Sequence, residues 1–563
     1  MISDKKQVQQ LAALLLKRGI TDIVISPGSR NAPMINTFTG IPGFCCRNIV
    51  DERSAAYFAL GLALAKQKPV VLVCSSGTAT LNYTPAVAEA SYQNIPLIVL
   101  TADRPDYWID QAESQCIRQE NIYQNFTKKE ISLPIGETEK ELWYAARQMN
   151  ECLNLAVSGQ PAPVHINIPL EEPLHKLVQM DLPRVKEIKL ALTKNVLEEN
   201  DLVRLIETIT QSQKILILAG QLNPNTDLEN ILIKLVAKTA AVVLHEHLSN
   251  LSDPGFCGSI DLVMAGILDE NIESYQPDLL ISFGGQFVSK ALKQFLRKNK
   301  PLQHWHLSPS GEHFDTYQSL TKVVWMEAVN FFDTLSDRVL QTDKSYLHLW
   351  KNKEAKVNQL RDEFVESIDF CDLKAFSLIG QKIPANTVMH LGNSSPVRYA
   401  LIHNRVENAM YFSNRGTAGI DGCLSTAVGF ASKSDKINTI ILGDLSFFYD
   451  SNALWNKYIG SNLRIIVIHN GGGNIFGMIK GPSDSPAFAE HFLAENPLKA
   501  EVLAKAFGLD YFKAENEAEL AQALEDFYSV KQQKVALLEV FTEAEVNVKV
   551  FRELFKSVKS NKN

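Results

Sequence analysis

Short apolar runs alternate with helical patterns along most of the chain. Between 21 and 170 the clearest runs are DIVIS, PVVLVC, PLIVLTAD and PVHINIPL. They are apolar on both faces, as strands covered by helices on either side must be. DERSAAYFALGLALAKQ and TATLNYTPAVAEASYQ lie between them with the helical pattern, and the alternation predicts a parallel sheet. A charged stretch without period, 175–200, reads as a linker. The alternation returns in KILILAG, AVVLHEH, DLLISFGG and QHWHLSP. After the polar LHLWKNKEAKVNQLRDEF it returns again in TVMHLG, AMYFS, NTIILGD, RIIVIHN and VALLEVF. The expected fold is α/β, with three doubly wound parallel-sheet domains at 1–180, 195–340 and 355–563.

Composition narrows the setting. A chain of 563 residues exceeds one core, which supports three domains. A net charge of −7 gives no basic field to attract nucleic acid, so any bound anion needs local arginines. Eight cysteines without a CxxC spacing read as reduced, packed thiols of a cytoplasmic protein. The opening MISDKKQVQQLAALLLKRG fits an amphipathic helix capped by Ser3 better than a leader peptide. No run approaches the ~18 apolar residues of a membrane span.

Two strand ends carry the chemistry. One apolar run ends on Asp444 and the next on Asn470, 26 residues later, with a helical stretch between and glycines 471–473 after. C-terminal strand ends of a parallel sheet share one edge, where ligands bind. One carboxylate and one amide oxygen make a sparse hard-oxygen site of the kind Mg²⁺ completes with water and phosphate. The glycines allow close backbone approach, so that Gly472 can offer its carbonyl and nearby N–H groups can face phosphate. Singly, Asp444 also reads as a helix cap and Asn470 as an Asn–Gly turn. HEH (245–247) and HWH (304–306) place histidine pairs on one strand face, a zinc-compatible spacing without a third ligand nearby. DERSAAYFALGLALA and GIDGCLSTAVGFAS each follow a strand, open with an acid and run on as Ala/Gly-rich helices, a sign of duplication.

GDLS at 443–446 with NGGG at 470–473 resembles the metal–diphosphate motif of thiamine-diphosphate enzymes, with Leu445 where many members carry a second Gly. SPGSRNAP (26–33), DERSAAYFALGLA (51–63), SSGTATLNYTPAVAEA (75–90), TADRP (101–105), GNSSPVR (392–398) and SNRGTAGIDG (413–422) resemble one family more narrowly. That family is the menaquinone-pathway 2-succinyl-5-enolpyruvyl-6-hydroxy-3-cyclohexene-1-carboxylate synthases. The resemblance implies a pyrimidine-binding domain, a central transhydrogenase-like (Rossmann-like) domain and a diphosphate-binding domain. It implies thiamine diphosphate with Mg²⁺ (or Mn²⁺) as cofactors, and 2-oxoglutarate and isochorismate as substrates. The reaction it implies is decarboxylation of the first and Michael-type addition of the remaining four carbons to the second. Homodimers or homotetramers are implied too, with sites at subunit interfaces. The alternatives are another thiamine-diphosphate 2-oxo acid decarboxylase, an acetolactate-synthase-like ligase, or a non-catalytic cofactor binder.

The same resemblance assigns roles to residues. Glu52 is the acid against the cofactor's pyrimidine nitrogen; its other reading is a helix N-terminal acid beside Arg53. Asp444, Asn470 and Gly472 hold the metal, with Leu445, Ser446, Gly473 and Ile420 at the cofactor and Ile420 beneath its two rings. Arg30, Arg104, Arg398 and Arg415 follow strand ends, and several arginines converging on one cleft suit substrates with several carboxylates. Lys290 joins them, although this chain has Ala291 where the family often shows Arg. Ser29, Gln115 and Ser394 orient substrate. Ile475 and Phe476 pack against the acceptor ring, or simply in the core.

Overall fold

The computed structural model describes residues 1–191, 193–267, 272–339, 343–478, 482–529 and 534–560. Residues 340 and 563, the expected ends of the middle and last domains, lie outside them. Three parallel sheets occupy the three segments. The first contains Asp22–Ile25, Cys45–Asn48, Val70–Cys74, Leu97–Asp103, Glu130–Ser132 and Val164–Pro169. The third contains Val388–Leu391, Met410–Phe412, Asn438–Gly443, Leu463–His469, Asp510–Ala514 and Ala536–Phe541. Counted in chain order within each sheet, both run 2-1-3-4-6-5. The middle sheet, Ile215–Ala219, Val242–His245, Leu279–Phe283, Gln303–Leu307 and Lys322–Val324, runs 2-1-3-4-5.

The buried central strands are the long apolar runs. Cys45–Asn48, Glu130–Ser132, Lys322–Val324 and Asp510–Ala514 are additions to the sequence reading, all at or beside sheet edges. An edge strand covers less apolar surface and so needs fewer apolar residues.

Three local expectations change. Ser3 does not cap the helix Lys6–Lys17, whose N-cap Lys5 has no side-chain cap. Ser3 lies instead in the short strand Ile2–Ser3, antiparallel to Leu177–Val178. The expected linker is therefore partly a strap: Leu182 and Val185 pack on the first core, and the Ile188 N–H donates to Asn150 Oδ1 at 2.8 Å. TATLNYTPAVAEASYQ divides into the helices Thr78–Asn82 and Thr84–Tyr92, with Pro85 in the first turn of the second. All eight cysteines are free, and Cys45 is exposed on its edge strand rather than packed.

The histidine pairs are core features. His247 opens a 3₁₀ turn beyond the end of the His245 strand, so these two do not share a strand face. His304 and His306 both hydrogen-bond the Ser282 hydroxyl, at 2.9 and 3.0 Å. Burial pulls both imidazoles down to about 4, which keeps them neutral. Among the described residues no cluster of three or more ligating side chains could hold a metal, and no helix is long and apolar enough to cross a membrane.

The first and third domains share one continuous hydrophobic core. Its centre is the crossing of Glu52–Lys66 with Cys423–Ala431, the two Ala/Gly-rich helices. A Cβ on Gly61 would lie 1.9 Å from the Thr426 carbonyl oxygen, and one on Gly429 would lie 2.0 Å from that of Phe58. Only glycine lets the two backbones approach this closely.

Candidate active site

Asp444 opens the helix Asp444–Tyr449 directly after the strand Asn438–Gly443. That strand pairs in parallel with Leu463–His469, Gly443 opposite Ile468, so Asp444 and Asn470 sit at neighbouring strand ends as the spacing predicted. Asp444 is buried; its Oδ1 accepts the Leu445 N–H at 2.8 Å, and its Oδ2 has no hydrogen-bond partner. Burial pushes its pKa up to about 6, against the Leu445 N–H, His469 and the Asn496 side chain, which pull it down. A buried carboxylate oxygen without a partner is costly unless something fills the position.

His469 stands beside it, Nε2 3.9 Å from Asp444 Oδ2 and Nδ1 2.7 Å from Glu539 Oε1. Against the cost of burial, the Glu539 hydrogen bond and the Asp444 charge raise the His469 pKa. Asn470 donates from Nδ2 to Asp372 Oδ2 at 2.8 Å. Its nitrogen is thereby committed, which leaves the amide oxygen for the other side. Asp372 is fully buried, also accepts the Thr542 hydroxyl at 2.6 Å, and is pushed by burial up to about 6.

The glycines make a tight passage. Gly472 has φ +133° and its carbonyl accepts the Asn474 N–H at 2.9 Å, which leaves one lone pair for a cation. The Gly473 N–H donates to the Leu493 carbonyl rather than standing open to phosphate, because the segment ending at 496 folds back over the glycines. Ile475 is buried there; Phe476 meets Phe492 edge-on. Ile420 is half-buried, its carbonyl accepting the Ser446 hydroxyl at 2.9 Å.

The four arginines form two pairs. Arg30 donates to the Leu170 carbonyl at 3.0 Å, while Arg104 reaches the Ser114 carbonyl and Glu113. Burial and the neighbouring Arg104 lower the Arg30 pKa. Arg415 donates to Asn393 Oδ1 at 2.8 Å and leaves its Nε buried and unpartnered. Arg398 donates to the Ser394 carbonyl, and burial with Arg415 alongside lowers its pKa. Within one chain no hydrogen bond or ion pair among the described residues joins the first pair to the second. Ser29 and Gln115 are exposed in the first domain, Gln115 at φ +51°. Ser394 sits at φ +75°, ψ −128°, a conformation that non-glycine residues seldom hold outside functional sites.

Lys290 is exposed at the start of Lys290–Lys298, and Ala291 packs on the core. One turn on, Lys293 is half-buried, close to Glu246 and Arg415. Glu52 opens its helix, half-buried, next to Asp51, which caps that helix by accepting the Ser54 N–H at 2.9 Å. Across the domain boundary, Asn452 donates to Asp51 and Arg53 to the Tyr449 carbonyl.

Family models match along the chain: "Thiamine pyrophosphate enzyme, N-terminal TPP binding domain" at 5–125, "Middle domain of thiamine pyrophosphate" at 174–391, and "Thiamine pyrophosphate enzyme, C-terminal TPP binding domain" at 392–540. A Bacteroides thetaiotaomicron protein named 2-succinyl-5-enolpyruvyl-6-hydroxy-3-cyclohexene-1-carboxylate synthase is 40% identical over 99% of this chain and 100% of its own length. Proteins of the same name from Flavobacterium johnsoniae (40% identical; 98% of each chain) and Porphyromonas gingivalis (40%; 98% of this chain, 97% of the other) agree. The chain belongs to this synthase family. It is a thiamine-diphosphate enzyme, and the residues present fit that cofactor: Asp444, with a buried Oδ2 lacking a hydrogen-bond partner, offers an oxygen donor of the kind a small divalent cation would take.

Several residues that hold these side chains and loops in place escaped the sequence reading. Asp372 looks like an ordinary helix-opening acid in FCDLKAF. Glu89 accepts the Gly416 and Thr417 N–H groups at 2.7 and 2.6 Å, so a first-domain side chain holds the Arg415 loop. Its only signal is a lone acid in the small-residue run TPAVAEASY. Glu246, between the two histidines, accepts the Val288 and Ser289 N–H groups at 2.7 and 2.8 Å, and burial pushes it up to about 7.

Proposed function

We propose that this chain decarboxylates 2-oxoglutarate on thiamine diphosphate and joins the four-carbon remainder to isochorismate, releasing CO₂ and the product its relatives are named for. What supports the reading is the strand-end pair: Asp444, whose buried Oδ2 has no hydrogen-bond partner, and Asn470, whose amide nitrogen is engaged by Asp372. Asp444, Asn470 and the Gly472 carbonyl would hold Mg²⁺ (or Mn²⁺), with Leu445, Ser446, Gly473 and Ile420 lining the diphosphate and thiazole positions. Bound there, thiamine diphosphate supplies the nucleophilic carbon and the electron sink that 2-oxo acid decarboxylation requires.

The remaining work belongs to the chain. Glu52 shares a proton with the pyrimidine ring nitrogen. Arg30 with Arg104, and Arg398 with Arg415, Lys290 and Lys293, bind the carboxylates of donor and acceptor. Lys293 lies on the same helix face as Lys290, which offsets the alanine at 291. Ser29, Gln115 and Ser394 orient the substrates, and Ile475 and Phe476 exclude water beside the acceptor ring. A two-fold dimer, or a tetramer of such dimers, with sites shared between subunits completes this reading, as the family resemblance implies. Eight free cysteines support a cytoplasmic setting.

The test is CO₂ release from 2-oxoglutarate by purified protein with thiamine diphosphate and Mg²⁺, with and without isochorismate. Release should accelerate when isochorismate is added and should yield the coupled product. Equal release in both arms would make the chain a simple decarboxylase, and none in either would overturn the reading.

A further inference from the structure

The two ends of an asparagine amide have the same shape and opposite chemistry, one accepting and one donating, so an amide that meets a cation must be held the right way round. The structure contains the device that could hold it. The Asp372 main-chain N–H donates to Asn547 Oδ1 at 2.7 Å. A main-chain N–H can only donate, which makes that end of Asn547 the oxygen. Its other end, Nδ2, donates to the Thr542 hydroxyl at 3.0 Å. With that proton occupying a Thr542 lone pair, the hydroxyl's own proton goes to Asp372 Oδ1 at 2.6 Å. An ionised carboxylate only accepts, so whatever meets Asp372 Oδ2 must be a nitrogen; what meets it is Asn470, at 2.8 Å. Every direction thus follows from one unambiguous donor together with an ionised Asp372. The ring is dry, with Asp372, Asn470 and Asn547 at most 4% exposed. It is also joined to the Asn470 strand, because the Thr542 N–H donates to the His469 carbonyl at 3.1 Å.

We propose that Asp372, keyed by Asn547 and Thr542, is a positioning residue that turns the Asn470 amide oxygen toward the cation site beside Asp444. The inference rests on the cation-binding reading above. A reversed amide would present N–H groups to the cation and replace attraction with repulsion. Partners of this kind typically carry a 10–100-fold effect on metal affinity.

The experiment measures Mn²⁺ binding by the full chain in the presence of thiamine diphosphate, from the free-ion electron paramagnetic resonance signal at about pH 8, where carboxylates are ionised. Asp372→Asn, which lets the amide at 470 sit either way, should weaken Mn²⁺ binding by about 10–100-fold. Adding Asn470→Asp to it should restore most of that loss, because a donor again faces a group that only accepts. A purely structural role predicts no such rescue. Thr542→Val should weaken binding by a smaller factor, and carries the test by the same readout if Asp372→Asn does not fold. Binding by Asp372→Asn within about twofold of the unsubstituted protein, or an exchanged pair no better than Asp372→Asn alone, would overturn the proposal. Failure of the unsubstituted protein to bind Mn²⁺ would instead overturn the cation reading itself, and the ring's role with it.

Discussion

The first and third domains are the same frame put to different uses. Both sheets follow the order 2-1-3-4-6-5, and both send an Ala/Gly-rich helix out after the second strand. Beyond the third strand the first domain has Ser75, Ser76 and Gly77, and the third domain has Asp444. Beyond the fourth, one has Arg104 and the other Asn470. In the first domain two acids, Asp51 and Glu52, follow the second strand instead. The frame therefore fixes where side chains gather, and in the reading proposed above single residues at strand ends set one edge to a proton, another to a cation and another to carboxylates.

The sharpest way to break this comparison is to silence one edge at a time. Glu52→Gln should lower turnover by about 10²–10⁴-fold while leaving cofactor affinity within a few-fold, as single-turnover and binding measurements would show. Unchanged turnover would remove Glu52 from the chemistry. Asp444→Asn should do the reverse, weakening Mg²⁺-dependent thiamine diphosphate binding by about 100-fold at least, read by calorimetry. If both variants lost affinity equally, the division of labour between the edges would be wrong.

Smaller effects test the frame itself. Gly61→Ala forces a methyl against the Thr426 carbonyl and should cost about 1–3 kcal/mol of stability, read as a lowered unfolding midpoint. Arg415→Lys keeps the charge and loses the planar fork. It should raise the KM of one substrate about tenfold with little change in kcat.

The mildest prediction concerns the middle domain. His304 and His306 have ordinary values of 6.5 and are held near 4 in the fold, so between these values the unfolded chain binds protons that the folded chain refuses. Their contribution to stability is complete above about pH 6.5 and is lost as pH falls toward 4. Replacing both with Gln should flatten the acid side of the stability–pH curve, and an unchanged slope would refute the assignment.

What the sequence made legible follows from range. Buried central strands announce themselves as apolar runs because both faces are covered. Edge strands such as CCRN and EIS are too polar to stand out. Asp444 and Asn470 were readable because each ends such a run and the glycines flag close approach. Glu89 and Asp372 were not, since their meaning lies in partners 327 and 98 residues away, which no local pattern contains. Ser3 misled for the opposite reason. A Ser just ahead of a helical pattern is a sound local signal, yet the helix starts at Lys6 and Ser3 pairs with the distant strand at 177–178.

The glycine crossing has a consequence for how the polypeptide may be cut. Each helix there fills the space that the other leaves empty, backbone against backbone, so neither end of the chain is a detachable module. An N-terminal fragment made alone would present a bare groove where Cys423–Ala431 belongs, and should be recovered as aggregate. Two fragments divided within the middle segment should be recovered in soluble form only when made together.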